Sequence, residues 1–172
     1  MTAAAPHVHV PVSTHLATLF GIGRIPLMPG TIASAAAFPV GWWIGLLFGW
    51  MGLLVAGGLM FLLGWYVCGA HAKRVGVKDP AECVLDEVAG QWIALAAIPL
   101  INTAMPTVGP FFNPIALAAT FVGFRFFDIV KPWPISRLQN LEGGLGIMAD
   151  DMIAGAVTAV LVFVAAMAKA FG

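Results

Sequence analysis

Three stretches without a single Lys, Arg, Asp or Glu dominate this sequence: 48 residues between Arg24 and Lys73, 37 between Glu87 and Arg125, and 17 between Asp151 and Lys169. A helix that crosses the hydrocarbon core of a bilayer needs about 20 mainly apolar residues. The first stretch is long enough for two crossings, so helices are expected over about 32–48 and 53–69 with a hinge at Gly49 to Gly52. The second is interrupted by Pro99, Asn102, Pro106, Gly109, Pro110, Asn113 and Pro114, which read as an uncharged turn between two short arms, about 88–100 and 115–124. A last helix is expected from about Met152 to Lys169. The reading is an all-α, multi-pass membrane protein of about five membrane segments.

Composition agrees with the bilayer. Hydrophobic residues make up 60% of the chain and charged residues 9%, against about 25% charged in an ordinary soluble domain. A soluble globule and a nucleic-acid-binding module are both excluded on that ground. The length of 172 residues suits one domain. Residues 1–19 carry His7, His9 and His15 among Pro, Val and Ala, lack a charged region followed by a sustained apolar core, and are expected as a poorly ordered tail rather than a signal peptide or a metal site. Cys68 and Cys83 form no CxxC motif and are expected as free thiols.

Net charge is zero, so placement carries the information. Every charged residue except Lys169 falls in three segments that the hairpins bring to one membrane face. The basic residues among them make that face cytoplasmic by the positive-inside rule. Transporters commonly hold ionisable groups near the midplane, and none is expected here.

Three motifs lie at this face. In the first, Phe20 to Thr31, the glycines allow close backbone approach, Thr31 can cap the following helix, and Arg24 adds a forked donor, so a phosphate could bind there. The bland alternative is a capped loop with Arg24 among lipid headgroups. The second motif, Asp79-Pro80-Ala81-Glu82, reads as a helix start with Asp79 as N-cap and Glu82 at the third position. Capping does not explain Asp86 and Glu87, which enter the apolar stretch with no helical cation beside them. A bound cation would offset both their repulsion and their desolvation. Oxygen-only donors point to Mg²⁺ or Mn²⁺ rather than Zn²⁺.

In the third motif, Arg125, Asp128 and Lys131 are helical neighbours, which an ion-pair ladder alone would explain, and Pro132 ends their helix. Asp150 and Asp151 read as a second acidic pair at the start of the last helix. Acids at a helix N-terminus are favourable by about 0.3–1 kcal/mol without any metal; two such pairs at one interface fit a shared metal site.

Carboxylates holding Mg²⁺ beside Arg125, Lys131 and Arg24 suit a phosphate ester, and a site at the headgroup plane suits a lipid phosphate. Two other phosphatase signatures, a DxDx[TV] nucleophile and a Walker A sequence, are absent, and His71 is the lone interior histidine. The CDP-alcohol phosphotransferase pattern is also missing. A non-enzymatic transporter or scaffold, and a phospholipid headgroup transferase, remain as alternatives on the residues alone.

The motifs resemble the phosphatidylglycerophosphatase A family. The resemblance rests on Pro29-Gly30-Thr31, on a DPxExVxDExxGxW-like run from Asp79 to Trp92, on FRxFDIxKPWPI from Phe124 to Ile135, and on GGxGIMxDDxxAG from Gly143 to Gly155. It implies an all-helical enzyme of the bacterial inner membrane that uses Mg²⁺ to convert phosphatidylglycerophosphate to phosphatidylglycerol, its active site facing the cytoplasm. By motif position it points to Asp79, Glu82, Asp86, Glu87, Asp128, Lys131, Asp150 and Asp151. Residues and resemblance together suggest a metal set of Asp79, Glu82, Asp86, Glu87, Asp150 and Asp151. Asp128, Asp86 and Lys131 are the expected catalytic residues, and Arg125, Lys131, Arg24 and Thr31 the expected substrate contacts. Asp128 is read either as nucleophile or as the group that orients water.

Overall fold

A computed structural model describes residues 11–106 and 113–171. Its elements are α1 (Val12–Ala17), a 3₁₀ turn (Leu19–Arg24), α2 (Pro29–Val75), α3 (Leu85–Leu95), α4 (Ala97–Ala104), α5 (Pro114–Val130), α6 (Ile135–Leu138) and α7 (Gly144–Phe171). No strand occurs among the described residues.

The expected hinge is present. Gly49 has φ 65° and ψ −160°, a backbone geometry that suits glycine, and it divides α2 into two arms. Both arms run along α3. Trp92 Nε1 donates to the Ala37 carbonyl on the first arm at 2.9 Å, while Leu53 on the second joins Val88, Trp92 and Leu95 in one apolar cluster. Helix α3 is thus the centre of the molecule, with every residue except Asp86 buried. On its other side it crosses α7 at Gly90 and Gly155. A Cβ on Gly155 would overlap the Gly90 carbonyl, so the two backbones touch, the mode of approach that small residues permit between helices in lipid.

Four local expectations are corrected. Helix α7 begins at Gly144 rather than at Met152, so Asp150 and Asp151 lie two turns inside it, beyond the first turn where the helix dipole favours acids. Helix α3 begins at Leu85, and Asp79 to Val84 form a turn in which the Cys83 N–H donates to the Pro80 carbonyl. Val84 N–H donates to the Ala17 carbonyl, which fastens this turn to α1 and draws it out of the helical path. The N-cap of α2 is Met28 in a left-handed conformation, so Thr31 sits in the first helical turn and is not the cap. Finally, residues 12–17 form a helix with Thr14 and Ala17 buried, so the tail expected over 1–19 does not extend through them. Residues 1–10, including His7 and His9, lie outside the described residues.

Helices α2 and α7 are long and apolar enough to cross a membrane, and their most apolar windows are only 11% and 22% buried. Leu47, Phe48, Met51, Leu59, Val160 and Val164 stand exposed. A water-facing core helix would bury such a face; here it points outward. Helices α3 and α4, separated by a bend at Ala96, and α5 are the shorter arms expected from the second charge-free stretch.

Candidate metal and phosphate site

Three helices converge on one acidic cluster. Glu87 in the first turn of α3, Asp128 near the end of α5 and Asp151 in α7 are all buried, and a carboxylate oxygen of each lies within 4.8 Å of the others. Around Glu87 the helix is buried as a whole, whereas Asp128 is buried between the exposed Phe126, Ile129 and Val130.

Glu87 is held from two sides. Its Oε2 accepts from Ser34 Oγ at 2.9 Å and from Arg125 Nη1. Its Oε1 rests against Gly30, where any Cβ would overlap it. The glycine of Pro29-Gly30-Thr31 thus leaves room for a carboxylate on another helix, which a larger residue would displace. Ser34, one turn farther along α2, was not singled out from sequence; its only signal is a lone hydroxyl in an apolar run.

Asp128 pairs with Arg125 Nη1 at 2.8 Å and with Lys131 Nζ at 3.5 Å, so the expected ion-pair ladder is present. Lys131 also donates to Asp150 Oδ2, and Asp150 Oδ1 accepts from the Asp151 N–H at 3.1 Å. Burial acts to lower the Lys131 pKa, but the hydrogen bond and charge of Asp150, with Asp151 and Asp128, outweigh it and hold Lys131 above the ordinary lysine range. It stays a cation. Asp151 Oδ2 is buried with no hydrogen-bond partner among the described residues.

The other expected site residues separate from this cluster. Asp86 is half-buried, and its Oδ1 accepts from the Glu87 N–H at 2.9 Å. Asp79 is exposed on the turn before α3. Glu82 bonds Arg24 Nε at 3.0 Å and His71 Nε2 at 2.7 Å, and His71 Nδ1 in turn meets Thr14 Oγ1 at 3.2 Å. This network joins α1, the 3₁₀ turn and α2, and it engages both Glu82 and Arg24. Burial pushes the Glu82 pKa upward, and the hydrogen bonds from His71 and Arg24 overcome it, leaving the carboxyl below its ordinary value.

The donor set fits a hard divalent cation. The buried acids Glu87, Asp128, Asp150 and Asp151 face two cations, Arg125 and Lys131. Two negative charges are left over when all are ionised, in a place where unpaired charge is costly. The donors are all oxygen, and one carboxylate oxygen is free of protein partners. A cation held among them beside Arg125 and Lys131 would make a receptor for a phosphate group.

The family model for phosphatidylglycerophosphatase A matches residues 15–166. Phosphatidylglycerophosphatase A of Escherichia coli (strain K12) is 38% identical over 149 residues, covering 86% of this chain and 80% of that protein. The Haemophilus influenzae protein of the same name is 39% identical over 149 residues, covering 86% and 85%. A Bacteroides thetaiotaomicron protein, 32% identical over 155 residues and covering 87% and 91%, is named as a phosphatidylinositol-3-phosphatase, with that assignment marked provisional. No solved structure matches the chain. With the model match spanning all three helices that bear the acidic cluster, the chain belongs to the phosphatidylglycerophosphatase A family.

Proposed function

We propose that this protein is a membrane-embedded lipid phosphatase that removes the terminal phosphate of phosphatidylglycerophosphate, using Mg²⁺ held by Glu87, Asp128 and Asp151. The observation that carries the reading is the buried carboxylate triad flanked by Arg125 and Lys131, in a chain whose relatives are named for that activity. The two arms of α2, the α3–α4 pair, α5 and α7 would make five membrane segments. The charged ends then face the cytoplasm of a bacterial inner membrane, as the basic residues require.

Mg²⁺, when bound, supplies charge neutralisation to the phosphate oxygens and acidifies water. The protein's own groups do the rest. Lys131, kept protonated, and Arg125 donate to the phosphate oxygens and stabilise the charge that builds on them. Asp150 holds Lys131 in place. Gly30 and Ser34 hold Glu87 in position. Asp128, gripped through both oxygens by Arg125 and Lys131, is better suited to orient water than to attack phosphorus. The water oxygen forms the new P–O bond, the glycerol oxygen departs with a proton, and the products are phosphatidylglycerol and inorganic phosphate. Asp86 and Asp79 add negative charge beside the site, and Glu82 and Arg24 support the fold that surrounds it.

Phosphate release by the purified protein from phosphatidylglycerophosphate in neutral detergent micelles, with Mg²⁺ and with a chelator, tests this reading. Release that requires Mg²⁺ is expected. Absence of phosphate release with either Mg²⁺ or Mn²⁺ overturns it. Direct attack by water is one displacement and inverts the configuration at phosphorus; net retention, with a phosphorylated carboxylate trapped by borohydride, would instead make Asp128 the nucleophile.

A further inference from the structure

Two recesses on the charged side of the molecule meet at Gly143. The inner one, about 310 Å³, is lined by Lys78, Asp79, Gln139, Asn140 and Gly146, with Ile147 at its wall. The outer one, about 610 Å³, is bounded by Leu62, Trp65, Tyr66 and Lys73 of α2 and by Glu142. Both fall in the size range of small-molecule sites, roughly 300–1,000 Å³. Their linings differ in kind. The inner recess is mixed, with Leu141 and Ile147 beside Lys78, Asp79, Gln139 and Asn140, whereas the outer one is more apolar and presents Trp65 and Tyr66, both exposed, next to a lysine. That combination belongs at a membrane–water boundary.

The inner recess adjoins the acidic cluster. Gly146 and Asp150 are four residues apart on α7 and so share a face, one helical turn apart. Asp150 holds Lys131, and Asp79 on the recess wall interacts electrostatically with both. From Lys131 outward the order is therefore phosphate-binding cation, a recess carrying Lys78, Asp79 and two amides, then an aromatic recess with its own lysine.

We propose that the two recesses form one trough that binds the remainder of the lipid headgroup, with Lys78 and Lys73 as the cations for its bridging phosphodiester. The inference rests on the function proposed above and deepens it. A three-carbon glycerol link separates its two phosphorus atoms by roughly 6 Å, close to the rise of one helical turn, about 5.4 Å. A terminal phosphate at Lys131 thus places the glycerol in the inner recess, where Asp79 accepts from its hydroxyl and the Gln139 and Asn140 amides offer further partners. The diester reaches Lys78 and Lys73, and the acyl chains leave past Trp65 and Tyr66 into lipid. A lipid whose phosphomonoester sits directly on diacylglycerol has no second phosphate to use this trough.

The test compares full-length wild type with the Lys73→Ala/Lys78→Ala double variant on dioleoyl phosphatidylglycerophosphate and on dioleoyl phosphatidic acid, each in the same neutral micelles with Mg²⁺. The double variant should raise KM for the bridged lipid by about tenfold, the loss of one or two charge-assisted hydrogen bonds, with kcat little changed. kcat/KM for phosphatidic acid should stay within about twofold, and Lys73→Arg/Lys78→Arg should restore the preference. An unchanged KM for the bridged lipid overturns the trough. An equal loss on both lipids also overturns it, because that is general attraction to an anionic surface. A wild type that hydrolyses phosphatidic acid but not the bridged lipid would overturn the proposed substrate and the trough together.

Discussion

Glu82 and Glu87 are five residues apart and end in opposite circumstances. Glu82 lies near the surface with one partner per oxygen, Arg24 on one side and His71 on the other. Glu87 is buried, shares Arg125 with Asp128, and stands within 4.8 Å of two further carboxylates. The first is a balanced tie between segments. The second belongs to an anionic surplus that the protein alone does not neutralise. Identical side chains from one short motif thus separate into a matched tie and an unmatched cluster according to the charges around them.

The largest effect should come from removing charge within the surplus. Asp151→Asn and Glu87→Gln should each lower kcat by about a thousandfold or more, the scale of losing a catalytic metal's ligand or charge stabilisation. Thermal stability without Mg²⁺ should not fall for Asp151→Asn, since a repelling charge is removed. Mg²⁺ should raise the wild-type Tm and leave that of the variant unmoved. Activity near wild type in Asp151→Asn would remove the triad from the mechanism.

Gly30→Ala comes next. Its methyl group meets the Glu87 carboxylate, and a displacement on the order of 1 Å can cost about a hundredfold in rate. The loss should appear in kcat; an unaffected enzyme would mean that Glu87 moves freely and need not be held. Ser34→Ala removes one hydrogen bond to the same carboxylate, about 1–1.5 kcal/mol and so a loss of roughly five- to tenfold. Steady-state kinetics on the folded variant measures it, and no change would assign the hold on Glu87 to Arg125 alone.

The smallest catalytic effect belongs to the balanced pair. Glu82→Gln should keep activity within about threefold while lowering stability by about 1 kcal/mol, the upper end for a surface ion pair. Because the Glu82 pKa is depressed in the folded state, its stabilisation is present above the unfolded glutamate pKa and is lost as pH falls through the folded value. The difference in Tm between wild type and Glu82→Gln should therefore narrow below about pH 4.5. A thousandfold loss of activity in Glu82→Gln at neutral pH would place Glu82 back among the metal ligands.

Much of the fold is legible along the chain because a bilayer demands length and apolarity from each segment separately. The Gly49 hinge is readable because it interrupts a charge-free run of 48 residues. The start of α7 is hidden in the sequence because Asp150 and Asp151 look like N-terminal acids, and the sequence alone does not reveal that α7 packs them against α3 and α5. The turn from Asp79 to Val84 imitates a helix start for a similar reason. Distant partners hold it instead: the Val84 N–H bonds Ala17, and Glu82, the expected third-position acid, bonds His71 and Arg24.

The sequence by itself determined the apolar body, the gathering of charge at one end, the acids and cations that make up the candidate site, and the family. Those are properties of composition and spacing. Only the tertiary structure decided which acids belong together: Glu87, Asp128 and Asp151 inside, Asp150 on Lys131, Glu82 on Arg24 and His71. The physical reason is that a carboxylate's role depends on the charges within a few ångströms of it. In this chain the deciding charges mostly come from other elements, Lys131 meeting Asp150 across 19 residues, Arg125 meeting Glu87 across 38 and Arg24 meeting Glu82 across 58, while Asp128 takes its cations from three residues on either side.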